Sequence, residues 1–297
     1  MHLFMSTLDE TVTFVVPVSD NDTYEENFLA SPLFGERHQH QILAIQNAPS
    51  ATKLYNWAIE KSTNDILIFV HQDVLFPNSW LRNLRKALQQ LKETDPQWGV
   101  LGCWGLTEDE MPHGYLYCSG NGTVLGQQFD HPTVIRTLDE IVLIMRKSSG
   151  LYFDDTLPYF HFYGTDICMA AADRGMKCYA ISNFCFHNSN QTVLYPKEFL
   201  KCYFHIKARW RKYLPIRTSC IKIDRFNYRL YKSYMIQLLK YPFLKKAGKI
   251  RRRVETPLTY LKILQCCNEN NSLWHGKEAG EIFQKKELTE IKVYSNL

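Results

Sequence analysis

The stretch NDILIFVHQDVLFPNSWL occupies residues 64–81. Its apolar residues Ile66 to Val70 read as a strand buried on both faces. The run then breaks without a linker into His71-Gln72-Asp73. Strand alternation sends His71 and Asp73 to one side and Gln72 to the other. A carboxylate at the end of a buried strand costs free energy unless something pairs with it. Carboxylate oxygens suit a hard divalent cation, Mg2+ or Mn2+. The plain alternative is that Asp73 caps a turn and His71 is a hydrogen-bonded core histidine.

Working outward, TVTFVVPV (residues 11–18) reads as a first strand, and Ser19 to Asp22 carry the chemistry of a helix start. Ile42 to Ile45 form a second strand, and a helix opens at Ser50 and runs to Glu60. Asn78 or Ser79 caps a helix in which Trp80, Leu81, Leu84, Leu88 and Leu91 recur at helical spacing. Trp98 to Cys103 is another strand. This alternation predicts an α/β fold, a mainly parallel sheet flanked by helices, with ligands beyond the carboxyl ends of the strands. Residues 105–135 are rich in Gly, His and Pro and read as a loop with short hairpin pieces. Leu138 to Met145 reads as a strand, Asp166 to Asp173 as a short helix stopped by Gly175, and Lys177 to Ile181 as a strand. Beyond Tyr195 the chain reads as helical and basic, with breaks at Pro215, Pro242 and Pro257, and residues 268–297 are polar and weakly patterned.

At 297 residues, 45% hydrophobic and 22% charged, the chain can bury a large core. The N-terminal MHLFMSTLDETVTF lacks the basic-then-apolar pattern of a signal peptide, and no apolar run is long enough to span a bilayer, so a cytoplasmic location is expected. Nine cysteines without C-x-x-C spacing read as reduced structural thiols, with the vicinal Cys266-Cys267 a redox alternative. Residues 201–253 hold 17 Lys and Arg against one acid, Asp224, so an acidic body carries a basic C-terminal section.

Three ordered segments, FVVPVSD, NAPSATKLYNWAIEK and DILIFVHQDV, resemble GT-A glycosyltransferases of the family 2 type. The nearest likeness is a bacterial subgroup with F-x-H-Q-D-V in place of D-x-D. FHFYGTDICMAA and CFHNS resemble that group's acceptor-side segment and trailing histidine. The likeness covers about residues 11–200 and implies a Rossmann-like GT-A catalytic domain over 1–200 with a helical basic extension over 201–297. It implies transfer of a hexose-like sugar from a nucleotide-diphosphate sugar to an acceptor hydroxyl, with inversion, in bacterial surface glycan or glycoconjugate synthesis. Val16, Pro17, Val18 and Ser19 would line the nucleotide pocket with His71, Gln72 and Asp73, and Asn47 would touch base or ribose. Lys53 and Asn56 are further contacts or merely a solvated lysine and a core-helix asparagine. Asp73 and His187 would hold the Mn2+ or Mg2+.

For the catalytic base, the family's adjacent acids fall at Tyr163-Gly164-Thr165-Asp166, where Gly164 is not an acid. Asp166 is the first expectation, the pair Asp139 and Glu140 the second, and His161 the third, with His161 also an acceptor-side residue. Trp104 and Gly105 would form an apolar sugar platform or an ordinary packed core. The basic section, with aromatics among its charges, suits an anionic membrane surface at the inner face or a negatively charged acceptor; no nucleic-acid motif accompanies it. The acceptor could be a glycan, a lipid-linked sugar or a protein. Competing readings are a nucleotide-sugar-binding protein without turnover, a zinc hydrolase using His71, Asp73 and His187, and a nucleotidyltransferase, which the lack of a Gly-rich phosphate loop disfavours.

Overall fold

The computed structural model describes residues 11–35, 39–252 and 292–294. Strand β1 (Thr13–Val18) leads into a short helix, α1 (Asn21–Thr23), which continues as a π-helical stretch over Tyr24–Leu29. Next come β2 (Gln41–Gln46), α2 (Ala51–Lys61), β3 (Ile66–Val70), β4 (Val74–Leu75) and α3 (Trp80–Thr94). The middle of the chain is strand-rich: β5 (Val100–Gly102), β6 (Trp104–Leu106), β7 (Pro112–Cys118), β8 (Thr123–Gly126), β9 (Thr133–Ile135), β10 (Thr137–Leu138) and β11 (Val142–Arg146). Then follow α4 (Tyr163–Asp173), β12 (Cys178–Ala180), β13 (Phe186–His187), α5 (Lys197–Arg209), β14 (Ile216–Arg217), β15 (Lys222–Ile223), α6 (Tyr228–Lys246) and β16 (Lys292–Tyr294).

The main sheet runs β16-β2-β1-β3-β11-β5-β12-β9. Six of these strands point one way, and β11 and β9 run against them. This is the mixed, mainly parallel α/β architecture that the sequence implied. The strand period of two feeds two cores. Val15, Leu43, Leu67, Phe69 and Leu143 face α2 and α4, meeting Leu54, Tyr55, Ala58 and Ile167. Phe14, Val16, Ile68, Val70 and Val142 face the other way, onto Trp80, Leu84 and Leu91 of α3 and the aromatics Phe28, Phe34 and Phe76. Each large side chain so buried contributes about 1.5–3 kcal/mol. Ser50 caps α2, its Oγ accepting from Lys53 N. Ser79 stands at the start of α3 but makes no side-chain cap hydrogen bond.

Residues 105–135, expected as a loop with short hairpin pieces, supply β6, β7 and β8 of a second sheet ordered β10-β6-β7-β13-β4, with β8 on β7. Gly114 makes this possible: a Cβ there would lie 2.2 Å from Cys103 O, at a φ of 149° that side chains rarely adopt. The expected strand over 138–145 is split into β10 and β11 by Asp139–Ile141. The core continues beyond residue 200 through Cys202, Tyr203, Ile206, Trp210, Ile216, Ile223 and Leu230. Pro242 does not break the chain as expected; it lies inside α6. That helix rests on the body lightly, with Leu230 its one buried residue, so no tight packing is disturbed by the lost backbone donor. All seven cysteines among the described residues are free. Pro257, Cys266 and Cys267 lie outside the described residues, as does most of 268–297.

Candidate functional site

Alternation at the end of β3 acts as the sequence predicts. Gln72 turns one way, and its Oε1 accepts from the backbone N–H groups of Ser19 (2.8 Å) and Asp20 (3.1 Å). Its amide donates to Ser19 Oγ at 2.9 Å. This side chain ties the carboxyl ends of β1 and β3 together. His71 and Asp73 turn the other way and meet His187.

The second sheet brings His187 in. β13 pairs antiparallel with β4 so that His187 lies opposite Val74, the residue after Asp73. Asn188 N donates to Asp73 O at 2.8 Å and fixes the register. His187 Nε2 then stands 3.4 Å from Asp73 Oδ1, and the His71 and His187 ring centroids are 5.5 Å apart. One donor atom from each of His71, Asp73 and His187 lies within 4.8 Å of the others. Two imidazoles and a buried carboxylate at this spacing fit a divalent cation.

The hydrogen bonds behind the cluster set its protonation. Tyr163 OH donates to Glu140 O at 3.2 Å and lies 2.9 Å from His71 Nε2. With its one proton given to Glu140 O, the hydroxyl accepts from His71 Nε2–H, the tautomer that leaves Nδ1 free to ligate a cation. Burial lowers the His71 pKa to about 4 against the opposing pull of Asp73, so the ring stays neutral. Burial also pulls His187 down, but the Asp73 carboxylate and then Cys118 override it and hold His187 well above its usual value. Asp73 is thus paired with a proton on His187, the place a cation would take.

A cavity of about 520 Å³ opens in front of this cluster. Pro17, Val18, Ser19, Ile45, Asn47, Ala48, His71, Gln72, Asp73 and Phe160 line it, so it lies beyond the carboxyl ends of β1, β2 and β3. Seven of these were singled out in the sequence; Ile45, Ala48 and Phe160 were not. Val16 sits one residue inside the cavity edge, its side chain wholly buried in the α3-side core. Lys53 is an exposed side chain on the first turn of α2. Asn56 instead clamps Phe153, with both backbone hydrogen bonds at 2.9 Å.

The expected acids are not on that wall. Asp166 is buried and turned to α5, where Trp210 Nε1 donates to it at 2.6 Å and Arg209 Nε lies 3.1 Å away. Burial raises its pKa, against the pull of Arg209. Asp139 accepts from Ile141 N at 3.3 Å and from the Ser219 hydroxyl. His161 packs edge-on against Phe199. Gly105 is pressed against β10, since a Cβ would meet Thr137 O at 2.5 Å, and Trp104 is packed beside Gly114 and Gly126. Sequence reasoning gave no role to Tyr163, which joins His71 to Glu140. A buried tyrosine at a helix start has no local pattern to mark it.

The profile of the Glycosyltransferase like family matches residues 13–203, more than half of the chain and all of the elements that build the cavity. A curated relative, "ATP synthase subunits region ORF 6" of Fuscovulum blasticum, is 28% identical over 158 residues, 51% of this chain and 61% of that protein. Among solved structures, S. aureus TarS 1–349 matches with a TM-score of 0.45 at 13% identity, covering 67% of this chain and 64% of that one. The same fragment in complex with UDP-GlcNAc matches with a TM-score of 0.44 at 12% identity, covering 67% and 66%. The chain spans less than two thirds of the length of each of these proteins. By the extent of the profile match, the chain belongs to the glycosyltransferase-like family.

Proposed function

We propose that the chain transfers a sugar from a nucleotide-diphosphate sugar to an acceptor hydroxyl, by direct displacement with inversion. The observation that carries this reading is the His71-Asp73-His187 cluster at the floor of a cavity framed by the ends of β1, β2 and β3. Asn47 and the exposed Phe160 ring would hold the base and ribose, and the backbone at Val18 and Ser19 would meet the nucleotide. Gln72 keeps that loop in place by holding two of its N–H groups. Asp73, His187 and His71 Nδ1 would bind Mn2+ or Mg2+, which supplies positive charge to the leaving diphosphate. Tyr163 orients His71 for that purpose. A thermal-shift screen of nucleotide sugars with and without Mn2+ tests the reading: a donor that raises the melting temperature only with the metal supports it, and no stabilisation by any donor contradicts it.

A second reading, donor binding without turnover, gains support from Asp166, whose carboxylate is committed to Trp210 and Arg209. Product formation separates the two. A zinc hydrolase remains a test outcome, read by stoichiometric zinc in the purified protein.

Within the basic section the membrane reading narrows to α6. Tyr228, Tyr231, Met235, Leu239 and Phe243 recur along one exposed face, while Leu230, Tyr234, Gln237 and Tyr241 form the side toward the body. Lysines 232, 240, 245 and 246 accompany that face, and residues 225–252 contain no acid. Apolar surface flanked by uncompensated positive charge matches an anionic bilayer surface. No helix among the described residues is long and apolar enough to cross a membrane.

A further inference from the structure

Behind His187 stands Cys118, which the sequence pattern marks only as one more reduced thiol. β13 lies between β4 and β7, antiparallel to the first and parallel to the second. Val74, His187 and Cys118 therefore form one row across three strands, and residues paired in this way share a face of the sheet. The His187 ring meets a polar group with each of its nitrogens. Nε2 stands 3.4 Å from Asp73 Oδ1, and Nδ1 stands 3.9 Å from Cys118 Sγ.

Neighbouring residues hold that sulfur and the ring together. Cys118 is buried, and its Sγ also lies 3.6 Å from the Ser189 hydroxyl. Ser119 locks the backbone: its N–H donates to His187 O at 3.0 Å, and its Oγ donates to Ser189 O at 2.7 Å. Gly120 allows the close approach, since a Cβ there would lie 3.0 Å from Ser189 Oγ and 3.1 Å from Asn190 O. Three consecutive residues at the end of β7 thus hold residues 187–190, and Cys118 meets the imidazole.

We propose that Cys118 is a positioning residue: its sulfur accepts from His187 Nδ1–H and so aims Nε2 at a cation shared with Asp73 and His71. The inference rests on the cation reading of this cluster. An imidazole ligates through one nitrogen, and the hydrogen bond made by the other decides which. With Nδ1–H on the sulfur, the lone pair sits on Nε2, the nitrogen that faces Asp73. The two histidines are held in opposite senses, His71 at Nε2 by the Tyr163 hydroxyl and His187 at Nδ1 by a thiol. Sulfur is a weaker acceptor than the carboxylate or carbonyl usual behind a metal-bound histidine, so its effect falls at the low end of the range for such partners.

The test uses the full chain and reads the Mn2+ dissociation constant from the electron paramagnetic resonance of free Mn2+, alone and with UDP or GDP present. Cys118→Ala should weaken Mn2+ binding roughly tenfold, the low end of the usual loss when a partner behind a metal-bound histidine is removed. Cys118→Ser, which keeps an acceptor, should recover part of that loss. Cys178→Ala removes the same thiol from the core on the other face of the main sheet and should leave the constant unchanged. Melting temperatures without metal report the folding cost of each variant separately. Cys118→Ala binding Mn2+ as wild type does overturns the proposal. So does Cys118→Ser binding no tighter than Cys118→Ala, or Cys178→Ala losing as much affinity as Cys118→Ala. A wild type without Mn2+ affinity, even with either diphosphate present, instead removes the cation reading itself.

Discussion

Asp73 and His187 stand 3.4 Å apart, carboxylate to imidazole, because β4 and β13 pair in a sheet distinct from the one that ends at His71. The main sheet delivers one side of the cluster and the second sheet the other. The register of β13 on β4, held by Asn188 N on Asp73 O, is what sets this approach.

Tyr163 hydrogen-bonds His71 Nε2 at 2.9 Å, so Tyr163→Phe should weaken Mn2+ binding by about 10–100-fold, the usual effect of removing a partner behind a metal-bound histidine. Equilibrium dialysis with metal analysis reads this. Unchanged affinity would show that His71 takes no part in holding the cation.

Gly164→Ala places a methyl group 2.8 Å from Leu138 O, against backbone rather than a yielding side chain. It should cost about 1–3 kcal/mol of stability, the common range for overpacking, measured by urea unfolding.

Asp154 ties the loop after β11 to α5. Its Oδ2 lies 2.9 Å from His205 Nε2 and 2.7 Å from Arg209 Nη1, and Thr156 donates to Oδ1. Burial would raise its pKa, but the hydrogen bonds from Thr156 and His205, with the Arg209 charge, outweigh it and lower the pKa. An acid whose pKa is depressed on folding stabilises the fold above its unfolded value, and that contribution is lost as pH falls through the folded value. Asp154→Asn should therefore lower stability by about 1 kcal/mol at neutral pH. The gap from wild type should close as pH drops below about 4. Thermal melts across pH check both statements.

The exposed face of α6 predicts binding to vesicles containing anionic lipid, weakening as salt rises. Met235→Glu with Leu239→Glu and Phe243→Glu should abolish sedimentation with such vesicles and leave donor binding untouched. Equal binding to neutral vesicles would contradict the charge argument.

Much of this site was legible in the sequence because it is local. The break from Val70 into His71-Gln72-Asp73 announces a strand end, and alternation along the strand correctly separates Gln72 from its neighbours. The framing residues Pro17, Ser19 and Asn47 follow apolar runs in the same way. Residues 105–135 were legible only as a loop with short hairpin pieces; that these hairpins join a second sheet was not, because Gly114 and Gly126 serve close backbone approaches that no local pattern marks. Asp166 misled for a related reason: an acid in a helix's first turn looks the same whether it faces a cleft or, as here, Trp210 and Arg209.

The central claim is that His71, Asp73 and His187 hold a cation that grips a nucleotide diphosphate. Calorimetric titration of UDP and GDP into the wild type and Asp73→Asn, each with and without Mn2+, tests it most directly. The account predicts that one of the two diphosphates binds the wild type at least about tenfold more tightly with Mn2+, a difference of about 1.4 kcal/mol, and that Asp73→Asn removes the metal-dependent part. Equal affinity with and without the metal, or full metal dependence in Asp73→Asn, would contradict it.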